Sequence, residues 1–240
     1  MTSFLRPYKF SGMIPPADEL HAEVDRDALE IAPAYVHVPG GKKVAQYAPT
    51  IVGCALGYNP AQDCRGYFTS SKFQANNNCY NYACSIASNS YAQPGRLQGF
   101  FLQDQGGPTG AVIVRGAKID GLLWIGRASL SVADLRDFVS RHLPGHVAAL
   151  FISPSDNSVE WTGDYHWVRC DDGSCMSWSQ KDGSDQVTDF DFAGNKIQDP
   201  RDGVWKVNQG PRNRSNPIDV VVDYELYGFM FVPAGSVTII

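Results

Sequence analysis

The chain has 240 residues, 43% of them hydrophobic, and a formal net charge of −5, enough to bury a full core as one large domain. Basic and acidic residues are interspersed with no Lys/Arg stripe, which argues against nucleic acid as a partner. No apolar run approaches the roughly 18 residues a membrane helix needs, so no membrane span is expected.

Residues 1–50 are rich in Pro and charge and read as an N-terminal extension or arm, with a short helix over residues 18–31. The opening Met1-Thr2-Ser3-Phe4-Leu5-Arg6-Pro7 has no apolar core of a classical signal peptide. The expected location is the cytoplasm, or outside it by an injection route that leaves no such mark. His21 and His37 carry no signal. Residues 51–240 read as a single domain, beginning with a loop-like stretch to residue 73 punctuated by Gly, Asn and Pro.

A helix is expected over residues 79–90. Asn76, Asn77 and Asn78 supply N-cap candidates, Ala83, Ile86 and Ala87 lie within a turn of each other, and Gln93-Pro94-Gly95 stops the run. A second helix starts at the cap Ser131, with Asp134 at the capping-box position and Val132, Leu135, Phe138 and Val139 as its apolar stripe. It ends at Leu143-Pro144-Gly145, where His142 is a favourable cation for the dipole. Strands follow at residues 147–153, 164–170, 175–180, 218–224 and 227–232. Helices first and an antiparallel meander afterwards indicate an α+β domain.

Six cysteines stand at positions 54, 64, 79, 84, 170 and 175. No CxxC pair or His/Cys cluster with zinc spacing accompanies them, so no metal is expected. Cys170 and Cys175 flank Asp171-Asp172-Gly173-Ser174, a turn that faces them across a hairpin; they read as plain thiols in the absence of a signal peptide. Asp189, Asp191 and Asn195 nearly offer alternating oxygen ligands, but the EF-hand order fails and a solvated turn is the better reading. No GxGxxG, P-loop or GxSxG elbow is present.

Cys79 stands where a polar run meets a helix start, a position whose free N–H groups and dipole favour a thiolate. Its expected base is His166, near the start of the strand over residues 164–170. With Cys170 opposite Cys175, His166 falls opposite Ser179, and Ser179 and Gln180 are both candidate neighbours that fix the imidazole tautomer. His146, opening the apolar strand over residues 147–153, is the alternative base, with Asp171 as its third residue.

The order Cys at a helix start, His opening a strand, polar residue on the returning strand resembles the papain-like cysteine hydrolases, in particular the NlpC/P60 and CHAP branch. Asn78-Cys79-Tyr80-Asn81-Tyr82-Ala83 is similar to the Cys-x-x-(aromatic)-Ala helix start of CHAP domains, and His166 through Gln180 to the His-strand-turn-strand-polar unit of NlpC/P60 domains. Residues 164–183 also resemble a His-Trp-(Tyr)-Arg … Trp-Ser-His-Lys-Pro-Gly signature of a poorly characterised subgroup, from which this chain departs at Gln180 and Asp182.

The resemblance implies a papain-like core with N-terminal helices packed on an antiparallel meander. It implies Cys79 as nucleophile, His166 as base and Gln180 as orienting residue, cleaving an amide bond of a peptide or of peptidoglycan. The oxyanion would bind at the Cys79 N–H, with a second donor from Gln74 or from Asn76, Asn77 or Asn78. Tyr80 and Trp167 would wall the substrate cleft. No cofactor is required, and an inhibitor or immunity protein is a conceivable partner. Gln180 in place of His also motivates the alternative, a degenerate domain that serves as a binding or structural module of a phage or secretion particle. A protein-directed cysteine protease or transferase is the third reading.

Overall fold

The computed structural model describes residues 32–53, 56–213 and 216–240. The helix expected over residues 18–31, His21 and Cys54 lie outside them. The chain opens with a hairpin, β1 (Ala34–His37) against β2 (Lys43–Gln46), whose turn carries Gly40 and Gly41 at φ 83° and 74°, a conformation glycine adopts without steric cost. Next come β3 (Ile51–Val52), α1 (Cys79–Ala83), β4 (Ile86–Ala87), α2 (Gly110–Ile119), β5 (Leu123–Arg127) and α3 (Val132–His142). Then follow β6 (Gly145–Ser153), β7 (Asp164–Cys170), β8 (Trp178–Lys181), β9 (Val187–Thr188), β10 (Lys206–Asn213), β11 (Asn216–Asp223) and β12 (Glu225–Pro233).

The centre is a six-stranded antiparallel sheet in the order β5-β12-β6-β7-β8-β9. Strands β6 to β9 form a meander, but β12 returns from the far end of the sequence to insert between β5 and β6. This architecture corrects the expected papain-like α+β core. The described chain is mostly β, and its three α-helices span 5, 10 and 11 residues. The helix expected over residues 79–90 accounts for much of the difference. It ends at Ala83, because Ser85, Asn89 and Tyr91 take positive φ (54°, 55° and 56°) and side-chain amides hold this stretch as a folded loop.

Elsewhere the pattern and the elements agree. The helix α3 carries the Ser131/Asp134 capping box, and β6, β7, β11 and β12 cover the expected strands within two or three residues. Helix α2 and strand β5 were not anticipated. Neither has caps or an apolar stripe as clear as α3.

Both faces of the sheet are buried, which is less common for antiparallel sheets. On the first face, Ala148 and Leu150 of β6, Tyr165 and Trp167 of β7, and Met230 and Val232 of β12 pack with Cys79 and Tyr80 of α1 and Ile113 of α2. On the second, Val147, Ala149, Phe151, Val168, Cys170, Phe229 and Phe231 pack under Leu135 and Val139 of α3 and Val220 and Val222 of β11. The period-2 alternation of each strand sorts its side chains between these two cores.

Candidate functional site

The segment Asn77-Asn78-Cys79-Tyr80-Asn81-Tyr82 is fully buried, and its polar atoms are consumed by structure. Asn78 caps α1: its Oδ1 accepts from the Tyr80 and Asn81 amides, each at 3.1 Å, and its Nδ2 donates to the Ala92 carbonyl at 2.9 Å. Asn81 uses all its bonding capacity. Its Oδ1 accepts from the Asn78 and Ala92 amides at 3.1 and 2.9 Å, and its Nδ2 donates to the Ile86 carbonyl and Ser88 Oγ at 2.9 and 2.8 Å. Asn77 and Asn89 bond reciprocally at 3.0 and 2.9 Å. The Asn-rich motif is thus a staple that folds residues 85–92 back onto α1.

Cys79 is the first residue of that five-residue helix, with no exposed surface, among the side chains of the first core. His166 is on the other side of the sheet. Its neighbours on β7, Tyr165 and Trp167, face Cys79; its own ring sits 5.5, 5.8 and 5.9 Å from Phe192, Trp205 and Tyr224, beside the second core. The sheet backbone therefore separates the expected nucleophile from its expected base. Gln180 does share a face with His166: β8 pairs Val168 with Gln180, and the Gln180 Nε2 donates to the Phe190 carbonyl at 2.6 Å. The expected hairpin register is corrected by three residues. Cys170 pairs with Trp178 and Arg169 with Ser179, because the connection runs from Asp171 to Ser177, whose backbones bond at 2.8 Å. Base and orienting residue were brought together, on the wrong face for Cys79.

His146 is on the Cys79 face but at the far end of α1, where its Nε2 donates to the Ala83 carbonyl at 2.7 Å. Four helical residues separate that carbonyl from Cys79, about 6 Å along the axis. Asp171, the third residue expected with His146, instead accepts from Arg169 at 2.9 and 3.0 Å. The other anticipated substrate contacts are also occupied. Tyr80 donates to Asp120 at 2.8 Å, Gln74 Nε2 donates to the Ser184 carbonyl at 3.1 Å, and Trp167 has no exposed surface. A cavity of about 270 Å³ under the β1–β2 hairpin is lined by Tyr91, Gln93 and Arg96, and Cys79 does not border it.

No disulfide joins the five described cysteines. Burial pushes the Cys64 thiol up to about 12 and Cys84 well above its ordinary value. Asp191 accepts from the amides of Ala193, Asn195 and Val204 at 2.8 to 2.9 Å, so this aspartate closes a loop rather than opening toward a cation. Among the described residues no group of three or more His, Cys, Asp or Glu is placed to hold a metal ion, and no helix is long and apolar enough to cross a membrane.

Two cations with no exposed surface lie outside the expected site. Lys181, at 0% exposure, donates to the Gly183 carbonyl at 2.9 Å. Arg169, also at 0%, pairs with Asp63 at 2.8 Å and with Asp171, reaches Ser85 Oγ at 3.3 Å, and lies 4.1 Å over the Tyr82 ring. That guanidinium ties the loop before α1, α1 itself and the sheet together. A lone Arg between apolar neighbours in a strand is the signal that marks it: long charged residues are almost never fully buried unless paired.

Both buried histidines are neutral in the fold. Burial, followed by the Arg169 charge, pulls His146 down to about 4, and burial pulls His166 down to about 3. The unfolded chain binds both protons below about pH 6.5, so stability is lost as pH falls from there toward 4. Asp120 acts in the opposite sense. Burial raises its carboxyl to about 7 against the pull of the Gly95 amide and Tyr80 hydroxyl, so the folded chain holds a proton that the unfolded chain releases. These three groups leave one net proton taken up on unfolding, a slope of about 1.4 kcal/mol per pH unit between pH 4 and 6.5. Urea denaturation across that range is expected to show a steeper loss of stability on acidification in wild type than in His146→Gln, since the variant lacks one of the two imidazoles that charge on unfolding. An identical profile in wild type and variant would contradict this assignment.

No family model matches the chain, and no solved structure matches it. Among curated proteins it is 32% identical over 152 residues to insoluble matrix shell protein 1 of Ruditapes philippinarum, a match covering 60% of this chain and 86% of that protein.

Proposed function

The chain belongs to the family of insoluble matrix shell protein 1, and from that premise we propose that it is a non-catalytic structural protein, a rigid domain built into an insoluble extracellular-type matrix. One observation carries the reading: Cys79 and His166 are each fully buried, on opposite faces of the same sheet. A cysteine hydrolase needs thiol and imidazole within hydrogen-bond reach and open to substrate. Here every polar side chain of the Asn-Cys-Tyr-Asn motif with a described bond bonds the chain itself. The family relative, named for a shell matrix, supports the same role.

Alkylation of the native chain with iodoacetamide, mapped by mass spectrometry, tests this. Cys79 is expected to react at least about 100-fold more slowly than an exposed thiol, since reaction requires access as well as thiolate, and His166→Ala is expected not to slow it further. Fast, pH-dependent labelling of Cys79 that His166→Ala abolishes would overturn the structural reading in favour of a hydrolase.

A further inference from the structure

Several surface cations of this chain are neutralised in place. Lys42 pairs with Asp104, Arg141 with Asp137, Lys196 with Asp189 and Lys206 with Asp223. Three are not. Arg115 and Lys118, neighbours on one face of α2, and Arg127, at the end of the edge strand β5, are exposed and have no carboxylate in ion-pair range among the described residues. They border one shallow groove of about 570 Å³ that no acidic residue lines. Three uncompensated positive charges gathered in a chain of net charge −5 make a local field of the opposite sign to the whole.

The floor of the groove is aromatic. Trp124 and Tyr227 are half-buried, their rings 6.0 Å apart at 52°. The Arg127 guanidinium lies 4.1 Å over the Tyr227 ring and 6.0 Å from that of Trp124. A guanidinium stacked this way keeps its edge N–H groups free for a planar or tetrahedral anion. The site is also rigid. A Cβ on Gly110 would stand 2.2 Å from the Tyr227 ring, so α2 is seated directly on the groove's floor.

We propose that this groove binds an acidic glycan, a sulfated or carboxylated oligosaccharide. A sugar ring lies beside Trp124 and the stacked Arg127–Tyr227 pair, and its anionic groups meet Arg115, Lys118 and Arg127. Nucleic acid fits less well, because its backbone needs a continuous basic track and this surface ends at three cations. An acidic peptide would use the charges but leave the flat aromatic floor unfilled. The proposal stands apart from the role of Cys79, which alkylation tests separately.

Calorimetric titration of the full chain with a heparin-derived sulfated hexasaccharide, a neutral dextran oligosaccharide and a short oligothymidylate distinguishes these ligands. Saturable binding of the sulfated sugar at low salt is expected, weakening as salt is raised, with no measurable binding of dextran. The oligothymidylate is expected to bind at least about 10-fold more weakly. The triple variant Arg115→Glu, Lys118→Glu, Arg127→Glu is expected to lose about 30-fold or more in affinity while remaining folded by circular dichroism, its thermal midpoint lowered only by the loss of the Arg127 and Arg115 ring contacts. Lys42→Glu, elsewhere on the surface, is expected to retain binding. Absence of binding by the sulfated sugar, equal binding by the triple variant, or equal affinity for the oligothymidylate would each overturn the proposal.

Discussion

Replacing Arg169 with Met is expected to destabilise the fold by about 3–5 kcal/mol at pH 7, the range for removing one partner of a buried ion cluster. The methionine fills most of the space, so the loss comes from charge. Asp63 and Asp171 are left facing each other at 7% and 1% exposure with no cation between them. Burial already raises the Asp171 carboxyl even with Arg169 present; without it the carboxyl rises further. An acid whose folded pKa lies above its unfolded one takes up a proton on folding, so its contribution improves as pH falls. The deficit of the variant is therefore expected to be smaller at pH 5 than at pH 7. Adding Asp171→Asn to Arg169→Met is expected to restore part of the stability at pH 7. A deficit under about 1 kcal/mol in urea denaturation, or one that grows on acidification, would show that Arg169 is not the hub described.

The second large effect concerns Asn81. Truncation to Ala removes four hydrogen bonds and deprives two buried amides and a carbonyl of that partner, while Ser88 Oγ keeps its bond to Ser90 Oγ. At about 1–3 kcal/mol for each buried group left unsatisfied, partly relieved by relaxation, a loss of about 4 kcal/mol is expected. Cys79→Ala, one residue pair earlier in the same motif, deletes a single sulfur from an apolar core and is expected to cost only about 1–2 kcal/mol. The ranking is the informative result. If the motif exists to fold the loop over residues 85–92, the asparagine outweighs the cysteine in stability. Comparable losses, or a larger one for Cys79→Ala, would contradict the stapling role.

Pattern reading placed α3 and most of the sheet, and the reasons are local. Ser131 and Asp134 form their capping box within four residues, and β6 and β12 are continuous apolar runs that only a covered strand tolerates. The same reasoning failed over residues 79–90, where Asn81 reaches five to eleven residues ahead to Ile86, Ser88 and Ala92. Such bonds are invisible to periodicity. The site was misread for a related reason. The hairpin puts His166 and Gln180 on one face, but three residues out of the expected register, with Val168 and not His166 opposite Gln180. Which face of the strand His166 occupies relative to Cys79 depends on where α1 docks, a contact across 87 residues of sequence. A strand buried on both sides gives no polar face to decide it.

Local pattern marks the segments that carry order: the capped helix, the apolar strands, the helix start at Cys79, and a Cys, a His and a Gln whose types suit nucleophilic chemistry. What those residues do depends on long-range packing. A β-strand sends alternate side chains to opposite faces, so one position separates Tyr165, beside Cys79, from His166, in the aromatic core beyond the sheet. The same long-range packing buried Arg169 between two carboxylates and left Arg115, Lys118 and Arg127 together without one among the described residues. Chemistry resides in the residue types, but function follows from which of them share a face.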